Sequence, residues 1–224
     1  MNKTAIDWCD YTWNPVTGCK HGCRYCYARK IAERFKGSKA WPQGFEPMLH
    51  PNRLTDAAKK KQPQSIFVCS MADLFGEWVP ELWHRLIFNE CVVGNHHTYI
   101  FLTKAPARYV MMSAERFKEN RWFGATITGK ADLHRISLLK QVPGNTFISF
   151  EPLLEDIGMI DIAGIKQVII GAQTNPDQYV GLEWVIKICE AADRAGAKVF
   201  MKDSLKGRWP DRELRRELCW KMNK

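Results

Sequence analysis

The sequence lacks any apolar run long enough to cross a membrane, and its first seven residues lack the hydrophobic stretch of a secretory signal. It also lacks internal repeats and low-complexity segments. These absences predict a cytoplasmic protein with no membrane partner. Hydrophobic residues make up 46% of the 224-residue chain and aromatic residues 12%, which excludes a disordered chain and predicts one domain with a substantial core.

The chain carries a net charge of +9, and this charge is unevenly distributed. Residues 1–61, which contain a cysteine loop and a Pro- and Gly-rich excursion, hold 12 Lys and Arg against 5 Asp and Glu. Residues 62–204 hold 14 against 16, and the extension over residues 205–224 holds 7 against 3. Two basic ends suit a polyanion such as nucleic acid, with Trp41, Trp209 and Trp220 as candidate stacking side chains. An ordinary solvated basic face is the alternative explanation.

Three cysteines, Cys19, Cys23 and Cys26, lie close together, and no fourth cysteine follows nearby. Thiolates at a C-x3-C-x2-C spacing can hold an iron–sulfur cluster, and three of them leave one iron of a [4Fe–4S] cube open to another ligand. A zinc site that adds His21 or Cys9 is the alternative, although structural zinc usually uses two separated ligand pairs. A disulfide framework is not expected in a chain of this size without a signal peptide.

The loop around these cysteines, with Tyr25 between the second and third, resembles the C-x3-C-x-aromatic-C loop of the radical S-adenosylmethionine (SAM) superfamily. The resemblance implies a [4Fe–4S] cluster and SAM as cofactors and an external electron donor of the flavodoxin or ferredoxin type. It also implies that SAM is cleaved to a 5′-deoxyadenosyl radical, which abstracts hydrogen from a substrate. Three longer runs, over residues 8–27, 70–75 and 149–154, resemble a small, phage-associated and functionally uncharacterised branch of that superfamily.

Short apolar runs alternate with amphipathic helical patterns along the rest of the chain. The apolar runs are residues 65–69, 98–102, 122–126, 146–150, 167–171 and 198–201, and an aromatic-rich extended segment precedes the cysteine loop. This alternation predicts an α/β fold with a parallel sheet. The strand count suits a partial, open β/α barrel of about six parallel strands with outer helices, which is also the fold that the radical SAM resemblance implies.

Nearly every predicted strand ends in a polar or charged residue, and active sites of parallel α/β folds collect at these carboxyl ends. If SAM binds there, Ser70 and Asp73 are candidates to accept from its ammonium group. Thr126, Thr128 and Glu151 suit its ribose hydroxyls and carboxylate. Tyr25 and the strand end at Gly171 suit its adenine. Lys202 and Gln173 are the candidate catalytic residues, and Lys202 and Lys104 suit either an anionic substrate group or structural salt bridges.

Two functions from different classes follow. The first is a radical SAM enzyme that acts on a nucleic acid or nucleotide, with a small molecule or peptide as the alternative substrate. The second is a non-catalytic nucleic-acid-binding module in which the three cysteines hold zinc.

Overall fold

A computed structural model describes residues 1–209 and 213–221. Ten strands are present in this part of the chain: β1 (Asn2–Lys3), β2 (Tyr11–Trp13), β3 (Val16–Thr17), β4 (Met48–Leu49), β5 (Ser65–Val68), β6 (Thr98–Thr103), β7 (Arg121–Thr126), β8 (Asn145–Phe150), β9 (Gln167–Ile170) and β10 (Lys198–Met201). The same residues form five α-helices: α1 (Tyr27–Arg34), α2 (Glu81–Val93), α3 (Ala107–Val110), α4 (His134–Leu139) and α5 (Leu182–Ala195).

Eight of these strands form one sheet in the order β1-β2-β5-β6-β7-β8-β9-β10. Every neighbouring pair from β2 to β10 is parallel, and β1 alone runs antiparallel to β2. The predicted mixed α/β fold with a parallel sheet is therefore confirmed. The predicted number of about six strands is too low, because seven strands are parallel and β1 adds an eighth.

The strands are apolar on both faces, as expected of a parallel sheet that is covered on both sides. One face packs against the helices and contains Phe101, Phe123 and Ile148. The opposite face contains Ile100, Trp122 and Phe147. Side chains of successive strand residues point to opposite faces, so each strand supplies both layers.

The C-terminal segment contributes to the sheet and to the second of these layers. Arg216 forms an antiparallel bridge with Phe200 of β10, so the segment extends the sheet edge. Trp220 packs against Trp122 and Phe147, and its indole Nε1 donates to the carbonyl of Trp8 at 2.7 Å. This buried position corrects the expectation that Trp220 is an exposed stacking side chain.

Proline and glycine mark the ends of the two longest helices. Pro80 and Gly94 flank α2, and Gly196 ends α5 in the left-handed conformation with φ of +68°.

Trp41 is buried with Phe45, Ala28 and Ala32 in a small cluster beneath the cysteine loop, which corrects its assignment as an exposed base-stacking residue. Trp209 is half-buried and packs against the main core.

No helix within residues 1–209 and 213–221 has both the length and the apolar character that a membrane-spanning helix needs.

Candidate cofactor and active site

A cavity of about 360 Å³ lies at the carboxyl edge of the sheet. Each parallel strand from β5 to β10 contributes to its wall through a residue at or just after its carboxyl end, and the cysteine loop closes one side. Ten of the twelve predicted site residues line it: Cys19, Cys23, Tyr25, Cys26, Ser70, Asp73, Thr126, Glu151, Gln173 and Lys202. The cavity thus brings the strand ends and the cysteine loop together. Thr128 and Gly171 are the two that do not line the cavity.

The alternation of side chains along the strands explains how apolar and polar residues are distributed over the cavity wall. On β8, Phe147 lies in the apolar layer, Ser149 comes two residues later, and Glu151 follows at the rim. Leu102 and Phe67 line the cavity at the ends of their own strands. The floor is therefore apolar, whereas the rim is polar and charged.

The cysteine loop is held to the sheet through its backbone. Gly18 has φ of +89°, and a Cβ at this position would lie 2.2 Å from the carbonyl oxygen of Glu46. Only glycine fits both this conformation and this close approach. The Gly18 amide donates to the Met71 carbonyl at 2.9 Å, and the Cys19 amide donates to the Phe45 carbonyl at 3.1 Å. These contacts fix the point at which the first cysteine enters the cavity wall.

The three thiols occupy neighbouring positions on that wall. Burial raises the pKa of Cys19 to about 12, and the nearby negative charges of Asp73, Cys23 and Cys26 add to the rise. Cys26 is the N-cap of α1, where its Sγ accepts from the Arg29 amide at 3.3 Å. A helix N terminus favours negative charge, so this is a suitable place for a thiolate ligand.

Among the residues that the structure describes, no three His, Cys, Asp or Glu side chains are grouped so as to hold one metal ion. In a cubane each thiolate binds a different iron, so thiolates around a cluster are spread more widely than ligands around one ion. His21, the nearest candidate for a fourth zinc ligand, has its Nε2 2.7 Å from Asp73 Oδ2.

Asp73 is buried and receives four hydrogen bonds from the chain. His21 lies against Oδ2, Thr103 donates to Oδ1 at 2.7 Å, and the backbone amides of Lys104 and Phe75 donate at 2.9 and 3.0 Å. Burial alone would raise the pKa of Asp73, but these hydrogen bonds outweigh it and lower the pKa. Because a carboxylate offers about four acceptor positions, the chain itself occupies those of Asp73.

Tyr25 forms a second link between the loop and the sheet. Lys104 Nζ donates to the Tyr25 hydroxyl at 2.7 Å and lies 5.3 Å from the centre of its ring. Burial lowers the pKa of Lys104 and raises that of Tyr25. Thr128 lies behind this pair, beside the Tyr25 phenol, and its own hydroxyl donates to Asp132 at 2.9 Å.

Glu151 and Lys202 form an ion pair across the ends of β8 and β10. Gly171 lies directly behind them, because a Cβ there would be 3.0 Å from Lys202 Cδ and 3.3 Å from Glu151 Cγ. The predicted residue Gly171 thus makes room for the pair. Lys202 has a carboxylate partner, which is the structural salt bridge that the sequence left as one of two alternatives.

The remaining predicted residues line the cavity from three sides. The Ser70 hydroxyl donates to Asn14 Oδ1 at 3.2 Å, and its carbonyl accepts from the Tyr27 hydroxyl. Thr126 is buried at the end of β7. Gln173 donates through Nε2 to the Pro176 carbonyl at 2.9 Å, which braces the loop after β9.

Three polar-atom-bearing side chains, His21, Trp8 and Ser149, are among the cavity residues outside the predicted site set. His21 was considered only as a zinc ligand, Trp8 only as part of the segment before the loop, and Ser149 only as part of a strand. Ser149 Oγ and Trp8 Nε1 are buried and have no hydrogen-bond partner within the described residues. The position of Ser149 two residues before Glu151 is the signal that could have identified it.

Comparison with known families gives one match. Residues 3–221 match the family described as Protein of unknown function (DUF5131). The chain belongs to the DUF5131 family. No curated protein and no solved structure matches it.

The match covers the seven parallel strands of the sheet and the whole cysteine loop of this DUF5131 chain. The cavity therefore lies entirely within the matched region. The family description assigns no activity.

Proposed function

We propose that this DUF5131 chain is a radical SAM enzyme with a partial, open β/α barrel around a [4Fe–4S] cluster. One observation carries the proposal. The three cysteines of a C-x3-C-x-aromatic-C loop line a single cavity, and that cavity lies at the carboxyl ends of six successive parallel strands. Its volume falls within the range of about 300–1,000 Å³ that is typical of ligand pockets.

The residues present fit the cluster by their donor chemistry. Three thiols suit three irons of a cubane and leave the fourth iron open, and no fourth cysteine lines the cavity among the described residues. Cys19, Cys23 and Cys26 would hold the cluster. Bound together, the cluster and SAM would supply a 5′-deoxyadenosyl radical that abstracts hydrogen from the substrate.

The cavity walls supply polar and apolar contacts that suit SAM. Ser70 and neighbouring carbonyls are the proposed acceptors for its ammonium group, because the oxygens of Asp73 are already occupied. Thr126 and Glu151 are the proposed contacts of its ribose and carboxylate, and Tyr25 is the proposed contact of its adenine. Gly171 does not line the cavity and is assigned instead to making room for the Glu151–Lys202 pair. We assign Asp73 and Thr128 to positioning, since each is hydrogen-bonded to residues that support the loop or Tyr25.

Lys202 and Gln173 remain the proposed substrate-side residues, as both line the cavity on the side formed by β9 and β10. Lys202 is ion-paired with Glu151 and is not an isolated cation, so the two side chains would contact a polar substrate group together. The reductant, an external donor of the flavodoxin or ferredoxin type, is part of the same proposal. The substrate also belongs to this proposal. The classes to test are a nucleotide or nucleic acid, a small molecule and a peptide.

A zinc-binding, non-catalytic module is the second candidate. It is favoured only by the cysteine count, whereas the engagement of His21 with Asp73 occupies the histidine that zinc would need as a fourth ligand.

Anaerobic reconstitution followed by iron and sulfide analysis tests the proposal. We expect about four irons and four sulfides per chain, with loss of both in Cys19→Ala, Cys23→Ala and Cys26→Ala. Cys91→Ala is the matched control, since Cys91 is buried in α2 away from the cavity and should retain full iron. A colourless protein with one tightly bound zinc, or equal iron in Cys23→Ala and wild type, would reject the proposal.

A further inference from the structure

Helix α1 carries an apolar stripe that lies on the protein surface. Tyr27, Ile31 and Phe35 follow one another at intervals of four residues, which places them along one side of the helix. Their exposed fractions are 53%, 40% and 49%. The residues that α1 buries are the small side chains Ala28 and Ala32. The helix thus buries its small side chains and exposes its large apolar ones, the reverse of the usual arrangement.

A group of basic side chains surrounds this stripe. Residues 20–39 contain seven Lys and Arg against the single acidic residue Glu33, a local charge of +6. Arg24, Arg34, Lys36 and Lys39 are exposed, and none of them has a carboxylate partner in the part of the chain that the structure describes. Elsewhere the surface charge is largely paired, for example Arg215 with Asp193 and Arg216 with Asp203. Much of the local charge is therefore available to a partner.

The position of this stripe relates it to the candidate cofactor site. Cys26 is the N-cap of α1, and Tyr27, the first residue of the stripe, also lines the cavity. The exposed side chains begin at the residue next to a proposed iron ligand. The stripe starts one residue after Cys26, and Ile31 at its centre lies about 7.5 Å from Cys26 along the helix axis at the usual rise per residue.

We propose that Tyr27, Ile31, Phe35 and the surrounding basic side chains, together the α1 patch, are the docking surface for a small acidic protein that carries one electron on a flavin or an iron–sulfur centre. This inference rests on the proposed function and assigns a place to its reductant. In the docked complex one electron leaves the carrier and enters the chain's cluster, so the carrier is oxidised by one electron and no bond forms or breaks.

The anatomy of the α1 patch favours a protein over a nucleic acid. Protein interfaces have an apolar centre within a polar rim, and weak encounters of redox proteins use small patches. Single-stranded nucleic acids rely on free aromatic platforms, but Ile31 at the centre of the stripe is aliphatic. The two aromatic side chains of the stripe are already engaged, since the Tyr27 hydroxyl donates to the Ser70 carbonyl and Arg34 lies 5.4 Å from the centre of the Phe35 ring. The unpaired positive charge steers an acidic partner towards the cavity side of the molecule.

The test compares protein-mediated and chemical reduction of the same reconstituted chain. The probes are a photoreduced acidic flavodoxin, followed by stopped-flow absorbance, and dithionite, which needs no docking surface. The variants are Arg34→Glu/Lys36→Glu and, separately, Ile31→Ser. The control is Lys61→Glu/Lys118→Glu, which makes the same charge change at two exposed lysines near the amino ends of β5 and β7, on the opposite edge of the sheet.

We expect both α1 variants to slow reduction by flavodoxin at least about tenfold at low salt, with the charge variant also losing most of the salt dependence. Reduction by dithionite should be unchanged in every variant, and the control should match wild type. Calorimetry with oxidised flavodoxin should give weaker binding for the same two variants, which is a readout independent of cluster activity.

Three results would overturn the proposal: α1 variants that bind and accept electrons like wild type, equal losses in the control, or short DNA or RNA oligonucleotides that bind the α1 patch while flavodoxin does not. Failure of the proposed function gives a different pattern. In that case iron analysis is negative and dithionite reduces nothing, while the calorimetry still decides whether the α1 patch binds flavodoxin.

Discussion

His21 Nε2 lies 2.7 Å from Asp73 Oδ2, and this contact ties the cysteine loop to the carboxyl end of the sheet. Asp73 also accepts hydrogen bonds from the Thr103 hydroxyl, at the end of β6, and from the Lys104 amide in the turn that follows. One buried carboxylate thus joins three segments of the cavity wall. The position of the first two cysteines relative to the strand ends depends on it, because His21 lies between them in the sequence.

Asp73→Asn should destabilise the chain and loosen the cysteine loop. The substitution replaces one acceptor oxygen by a donor, which leaves at least one buried donor without a partner and costs about 1–3 kcal/mol of the free energy of unfolding. Urea denaturation measures this loss. Glu155→Gln, at an exposed position outside the cavity lining, is the comparison, and a loss of equal size there would contradict the role of Asp73.

The same carboxylate predicts a pH dependence of stability. The pKa of Asp73 is lowered in the folded chain, so its contribution is fully present above its unfolded value of about 4 and is lost as the pH falls through the folded value. The stability difference between wild type and Asp73→Asn should therefore be constant from pH 7 to about 5 and shrink in more acidic solution. A difference that grows on acidification would show that the neutral carboxyl is the stabilising form.

Gly18→Ala should prevent the loop from closing, whereas Gly22→Ala should not. Both glycines have positive φ, so alanine costs about 1–2 kcal/mol of backbone strain at either position. Only at Gly18 would the new Cβ also collide with backbone, 2.2 Å from the Glu46 carbonyl oxygen, while nothing lies within 4 Å of it at Gly22. We expect iron content after reconstitution to fall severely in Gly18→Ala and to remain near wild type in Gly22→Ala. Equal iron in the two variants would argue that the contact with Glu46 does not shape the site.

Much of this architecture could be predicted from local patterns. Apolar runs such as residues 146–150 are long enough to specify strands, and the polar residues that follow them converge because parallel strands share their carboxyl edge. The two-residue strands β3 and β4 are too short to leave a pattern. The His21–Asp73 contact joins residues 52 positions apart, and neither residue type alone indicates such a partner.

The net charge of the C-terminal extension does not indicate whether its basic side chains are free to bind a polyanion. The C-terminal extension has a net charge of +4, yet Arg215 and Arg216 form ion pairs with Asp193, Glu217, Asp203 and Asp7. A count of residues cannot distinguish paired from unpaired charge, because pairing depends on which strand edge the segment joins. Arg212, which belongs to the same basic extension, lies outside the described residues.

Thr126→Val and Glu151→Ala should weaken SAM binding without loss of iron. Both residues line the cavity, but neither is a thiol ligand. Each substitution removes a polar contact, which we expect to raise the SAM dissociation constant about five- to tenfold, equivalent to about 1–1.4 kcal/mol. Titration of the reduced protein with SAM, followed by electron paramagnetic resonance, measures the change, and Glu190→Ala on the exposed face of α5 is the control. An unchanged spectrum over a wide SAM range in wild type would count against the enzyme itself.

Arg215→Glu/Arg216→Glu should act on the sheet edge and not on a polyanion site. Both arginines are partnered by carboxylates, and the segment that carries them pairs with β10 through the Met201 amide and the Arg215 carbonyl at 2.8 Å. Reversal would place new negative charge beside Asp193 and Asp203, so we expect a lower midpoint of urea unfolding.

Fluorescence anisotropy with short DNA and RNA at two salt concentrations supplies the second readout for this double variant. If the arginines bound phosphates, their reversal would flatten the slope of log affinity against log salt by about 0.7–0.9 for each phosphate that is no longer neutralised. A flattened slope with unchanged stability would restore the C-terminal segment as a nucleic-acid surface, whereas lowered stability with an unchanged slope assigns these charges to holding the sheet edge.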